Sequence, residues 1–297
     1  MWESTDVWIA LRCLDRAHWA CRVAVVVLAF GLAWPTAAAG WGLEAHVLVN
    51  RAACTTLPEP LRRFFMRHQT RIGEHGKDPD TVLTARDEER ERIRHWINLD
   101  ELDRFPFHHI PRDYEQALAK YGRERLERAG LLPWRIAELY TQLVEAMRES
   151  EWERVPLLAG HLGHYVADGH QPLHATRNHD GQLTGNDGIH KRFETEMIRR
   201  FLVEYQDLAA FTRPAQETGD PVAFTFDFLI DSYVWVDNLL RADTLAQRGT
   251  QGYEDAYYGA LYFFAGRLAK LSMAQAATDL GSLWYSAWIE AGRPPVP

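Results

Sequence analysis

The stretch VPLLAGHLGHYVADGHQPLHA, residues 155–175, is apolar enough for a buried helix yet carries four histidines and an aspartate. Gly169 and Pro172 end the helix. Within it His161, His164 and Asp168 stand at i, i+3 and i+7, so all three face one side. A buried helix has no solvent-side reason to hold two imidazoles and a carboxylate on one face. They must pair with each other, with other polar groups or with a metal ion. Pro172 then turns the chain, so that His174 approaches from another side. Sixteen residues later His190 and Glu194 form a second i, i+4 pair on a helical pattern. Imidazole and carboxylate suit zinc, and ligand pairs on adjacent helical turns are a common way to supply two of its four places.

Outward from this stretch the chain reads as helical. The run from His46 to Leu57 opens a helix that Pro58 punctuates. Pro133 stands in a first-turn position, and Ile136, Leu139, Leu143 and Met147 then repeat as an apolar stripe. The segment 190–205 puts Phe193, Met197 and Phe201 on one stripe. Residues 220–291 read as two or three aromatic-rich helices around the turn Gln247–Gly252. Strand alternation is scarce, and the polar stretches 69–91 and 175–189 read as loops. The expectation is one all-α, multi-helix domain over residues 41–297.

The 297 residues, 46% apolar and 25% charged, are ample for a sizeable core. A net charge of −8 argues against a broad basic surface for duplex DNA, while leaving room for a local cationic site. Near the amino terminus, Arg22 precedes an apolar run from Val23 to Trp34 and a tail of small residues ending at Gly40. That run is shorter than the about 20 residues that span a bilayer. Charge, apolar run and small residues in that order read as a signal peptide, residues 1–40, cleaved before Trp41; an uncleaved anchor is the competing reading. Cleavage removes Cys13 and Cys21 and leaves Cys54 without a partner, so no internal disulfide is expected.

Taken in order, W41-G-L-E-A-H46, Asp80, H95-W-I-N98, H164-Y-V-A-D168 with Q171-P-L-H174, and H190-K-R-F-E194 resemble the zinc-dependent phospholipase C / P1 nuclease superfamily. The resemblance spans nearly all of residues 41–297. It implies an all-helical, secreted or periplasmic hydrolase of phosphodiesters that holds three Zn2+ ions. One ion would take Asp80, His95, His164 and Asp168. A second, bridged to the first through Asp168, would take His46 and the amino nitrogen and carbonyl oxygen of Trp41. The third would take His174, His190 and Glu194. An α-amine has a pKa of about 7.7–8.0, so zinc can displace its proton near neutral pH, and processing before Trp41 would complete the site. Asp78 and Asp87 compete with Asp80; the fifteen-residue gap to His95 and the preceding Pro79 favour Asp80. His75, His108, His109 and His179 match no ligand of the family and read as solvated, while His161 reads as bonding a ligand.

Two zinc ions about 3.5–4 Å apart lower the pKa of a shared water and clamp the phosphate, and a third stabilises the leaving alkoxide. Asp168 and Asp80 are the catalytic candidates, Asp80 orienting or deprotonating the water. Trp96 and Asn98 are candidates for stacking on a base, worth about 1–3 kcal/mol, and for bonding its edge; a core aromatic beside the site is the competing reading of Trp96. The expected substrate is single-stranded nucleic acid, with phospholipid the alternative, and the expected state is a monomer. A non-catalytic zinc-binding protein is a further reading. G40-W-G-L-E-A45 fits a dinucleotide-binding pattern, but no strand or βαβ unit surrounds it.

Overall fold

The computed structural model describes residues 41–297, and the expected signal segment 1–40 lies outside them. No strand forms among the described residues. Helices α1 (Leu43–Thr56) and α2 (Leu61–His75) pack against each other. Helix α3 (Leu132–Arg148) opens with Pro133 in its first turn and buries Ile136, Leu139, Leu143 and Met147, the stripe that the periodicity defines. Helix α4 (Val155–Gly169) lies at the centre, against α1, α2 and α3, and buries every residue except Leu157.

The carboxy-terminal region resolves into α5 (Pro221–Tyr233), α6 (Val236–Gln247) and α7 (Asp255–Glu290). Asp220 caps α5 by accepting from the amides of Val222 and Ala223. The turn before α7 uses Gly249 and Gly252 at φ of 82° and 85°, a conformation that side-chain-bearing residues resist. Helix α7 has 36 residues, which makes it about 54 Å long at 1.5 Å per residue, and it packs on α1, α3, α4 and α6. No helix of the described residues is long and apolar enough to cross a membrane. Cys54 is buried and free.

Glycine sets the spacing around α4. A Cβ on Gly163 would overlap the Asn50 side chain of α1, and one on Gly160 would collide with the Ile72 carbonyl of α2. These two positions let three backbones approach closely enough for their imidazoles to meet.

Part of the expected loop 69–91 is helical. Helix α2 continues to His75, a wide π-helical turn covers Pro79–Leu83, and short helices span Thr84–Arg86 and Glu88–Arg92. On these turns residues 86–90 and 92 face solvent, whereas Asp80 and Glu91 turn inward. Asp87 supplies the cap for the last one, accepting from the Arg90 amide. The stretch 175–189 forms turns, as expected. Segment 190–205 is helical but uneven: a π-helical turn at Arg192–Met197 and a break at Phe201 divide it.

Candidate metal centre

Four segments converge on Asp168, which is fully buried on α4. Its Oδ2 lies 2.9 Å from His95 Nδ1 and 3.2 Å from His164 Nε2. Its Oδ1 lies 3.5 Å from His46 Nε2 and 3.9 Å from His174 Nδ1. Asp80 enters from the π-helical turn, with Oδ1 at 3.7 Å from both His95 and His164 and Oδ2 at 3.9 Å from His46. The rings of His46 and His164 stack at 3.9 Å, the approach that Gly163 permits. Asp78 points elsewhere, towards His75 and His161.

A second cluster joins His174, His190 and Glu194. His190 Nε2 is 3.0 Å and His174 Nε2 3.5 Å from Glu194 Oε2, and the two Nε2 atoms are 3.1 Å apart. Each ring uses its other nitrogen on a backbone carbonyl: His174 Nδ1 on His95 at 2.6 Å, His190 Nδ1 on His179 at 2.8 Å. His164 Nδ1 likewise donates to the Gly76 carbonyl at 2.8 Å. A neutral imidazole that donates through Nδ1 presents a lone pair at Nε2. Two such lone pairs facing each other at 3.1 Å require a cation between them or a proton on one ring. Fixing the tautomer through a backbone carbonyl is how proteins aim histidine at a metal.

Buried polar atoms point the same way. Both nitrogens of His46, Oδ2 of Asp80 and Oδ1 of Asp168 are buried without a hydrogen-bond partner in the protein. Such orphans are costly unless something satisfies them. The donor set of imidazoles and carboxylates is that of zinc, so the residues present fit the ions that the sequence implies.

Electrostatics follow from the geometry. Burial lowers the His46 pKa well below its ordinary value, and neighbouring His164 adds to this. Burial also disfavours charge on His164, but Asp168 and Asp80 outweigh it and push the pKa up to about 9. Against the same burial penalty, Glu194 raises His190 to about 9. Despite burial, His164 and His174 hold the Asp168 carboxyl well below the carboxylate range. Burial raises that of Asp80, against the pull of His164 and His95. Without metal, the carboxylates of this centre draw protons onto their imidazoles.

Trp41 is buried beside Phe193, with ring centroids 5.4 Å apart. The Gly42 amide donates to the Glu194 carbonyl at 3.2 Å, which ties the Trp41–Gly42 segment to the turn bearing Glu194. Trp96 is half-buried, with the Arg92 guanidinium 5.4 Å above its ring and Gly130 packed against it. Asn98 is buried, and its backbone N–H donates to the Ala129 carbonyl. Neither side chain forms a hydrogen bond or ion pair with the clustered residues.

Two contributors were not singled out in the sequence. Gln171 is fully buried and donates to Glu194 Oε2 at 2.9 Å while its oxygen accepts from the Leu173 amide. Glu91 lies 3.8 Å from His95 Nε2 and accepts from the Tyr165 hydroxyl. Gln171 lay within the motif but has no charge to draw notice, and Glu91 sits in a run of charged residues where nothing marks it as buried. His161 bonds Asp78 rather than a clustered residue, and His75 is half-buried on the same aspartate instead of solvated. His170 pairs with Asp279 at 2.9 Å.

The described residues form an all-α fold of the kind seen in a solved phospholipase C-type toxin. Among solved structures the chain is similar to the alpha-toxin of a Clostridium perfringens avian strain, with a TM-score of 0.51 and 12% identity. That match covers 87% of this chain and 66% of the toxin chain, so the protein spans just under two thirds of the toxin. A probable serine protease of Bradyrhizobium tropiciagri is 26% identical over 211 residues, which is 62% of this chain and 27% of that protein. No family model matches.

Proposed function

We propose that the protein is a secreted or periplasmic zinc-dependent phosphodiester hydrolase with three metal ions, of the nuclease type acting on single strands. The observation that carries the reading is the pair of opposed Nε2 lone pairs beside a buried carboxylate, next to a second cluster built around Asp168. His95, His164, Asp80 and Asp168 would hold one ion. His46, Asp168 and the terminus at Trp41 would hold another, and His174, His190 and Glu194 the third. When bound, zinc supplies Lewis acidity, which lowers the pKa of water and neutralises phosphate charge.

The chain's own residues then have distinct tasks. Asp168, with imidazoles facing both oxygens, fixes the separation of the neighbouring sites. Asp80 has a raised pKa and a buried oxygen without a partner, so it is suited to orient water or take its proton. The carbonyls of Gly76, His95 and His179 hold three rings in register without adding charge.

Support for a nucleic acid lies on the outer side of the segment that carries His190 and Glu194. A cavity of about 580 Å³ there is lined by Lys191, Arg192, Arg199 and Arg200 together with Glu196, Tyr253 and Tyr258. Cations of this kind suit a phosphate backbone; Arg192 and Arg200 themselves stack on the Tyr253 and Tyr258 rings, so the support is electrostatic and not base stacking. A phospholipase C reading draws support from a different surface. Helix α5 packs on the turn bearing His174, and Phe105, Val234 and Trp235 beside its end are about half exposed. A protease reading has little to rest on, because among the described residues no serine hydroxyl bonds an imidazole.

Hydrolysis of bis-p-nitrophenyl phosphate, single-stranded DNA and phosphatidylcholine by protein starting at Trp41 tests the proposal. Zinc-dependent cleavage of the first two is the expected result. Cleavage of phosphatidylcholine but not DNA would move the assignment to phospholipase C, and no cleavage by zinc-loaded protein would reject the hydrolase reading.

A further inference from the structure

We infer that His75, Asp78 and His161 form an additional binding site for a zinc-class divalent cation, distinct from the two clusters described above. Asp78 Oδ2 lies 2.8 Å from His75 Nδ1 and 3.0 Å from His161 Nε2. The three ligand atoms lie within 4.8 Å of one another. The spacing matches that of His190 to Glu194, at 3.0 Å, and of His164 to Asp168, at 3.2 Å. The residues come from three places: the end of α2, the turn after Gly76, and α4. The two rings stand at 87° to each other, so that both nitrogens aim at one oxygen from different directions.

Exposure separates this trio from the other clusters. The side chains of His75, Asp78 and His161 are 24%, 23% and 10% exposed. Water can therefore complete a tetrahedral shell, and the ion can exchange with solvent. Two imidazoles and one carboxylate favour zinc, nickel or copper over magnesium or calcium. Binding would fasten the end of α2 to α4 through Asp78. Asp80 is two residues further on, and the Leu83 amide donates to the Asp78 carbonyl at 2.9 Å. An ion here would thus hold the turn that delivers Asp80, which makes the site a clip beside the main centre. The inference stands on these three residues alone and does not depend on the hydrolase reading.

Zinc content after equilibrium dialysis at micromolar free zinc, measured by plasma mass spectrometry, provides the test. Asp78→Asn keeps a hydrogen-bond acceptor but loses the charge, and His75→Gln removes one ligand. Each variant is expected to hold one zinc per chain fewer than the wild type. Equal zinc content in all three folded proteins would overturn the site and leave a hydrogen-bonded trio. Should either variant fail to fold, the wild type decides the matter through diethyl pyrocarbonate modification. Zinc is expected to protect His75 while exposed His108 reacts throughout, and an unprotected His75 at saturating zinc would reject the site. Loss of the zinc difference speaks to this site, whereas absent hydrolysis with the difference intact speaks only to the proposed activity.

Discussion

Asp168 has imidazoles on both of its oxygens and no exposed surface. Asp168→Asn keeps the size but removes the charge that would balance the proposed cations on either side. Substituting groups that merely support a ligand costs about 10–100-fold in metal affinity or activity, so loss of a shared ligand should exceed a hundredfold in hydrolysis. Metal content should fall in parallel, and a variant with full activity would remove Asp168 from the centre. Gln171 makes a subtler case. Its amide nitrogen orients the Glu194 carboxylate while its oxygen is held by the Leu173 amide. Gln171→Ala should weaken zinc binding at the His174–His190–Glu194 cluster by about 10–100-fold, as read by competition with a chromophoric chelator. Unchanged affinity would mean that Glu194 is positioned by its own backbone.

At the level of helices, the approach of α4 to α1 rests on Gly163. Gly163→Ala places a methyl group into Asn50, whose side chain is held by the His46 carbonyl. Overpacking of this kind costs about 1–3 kcal/mol, and here it should also part the stacked rings of His46 and His164. A lower melting temperature with reduced zinc content is expected. Gly259→Ala is the contrasting control: it lies on the exposed side of α7 with open space around it, and should stabilise by about 0.5–1 kcal/mol. Helices α3 and α4 were legible because their apolar spacing and prolines match what the core demands. The convergence at Asp168 was legible too, since two i, i+4 pairs of ligand type leave few other uses. The segment 76–92 was not, because its short turns are held by local bonds, such as those of Thr84 to the Pro79 carbonyl and of the Arg90 amide to Asp87, and carry no apolar stripe. The partner of His161 was equally hidden: Asp78 and Asp80 differ by two positions, and the π-helical turn sends them to different neighbours.

For the molecule as a whole, metal, protons and stability are linked. In the metal-free protein His164 and His190 are raised to about 9, first against burial and then by their carboxylate partners. The unfolded chain releases those protons near pH 6.5. The stability they provide is complete below about 6.5 and is lost as pH rises towards 9. Each shift corresponds to an effect on the order of 3 kcal/mol. The Asp168 and Glu194 carboxyls are lowered, Asp168 the further, so their contribution is complete above the ordinary carboxylate range and is lost as pH falls from there through the lowered folded values. Zinc reverses the dependence on the alkaline side, because it takes the place of the protons and binds the deprotonated ligands. Melting in chelator should therefore fall in temperature from pH 6.5 to 9, while the gain from added zinc grows over the same interval. Adding zinc at pH 7.5 in weak buffer should release protons. If the metal-free protein instead melts at a constant or rising temperature across that range, His164 and His190 are not the cations that hold the empty centre together.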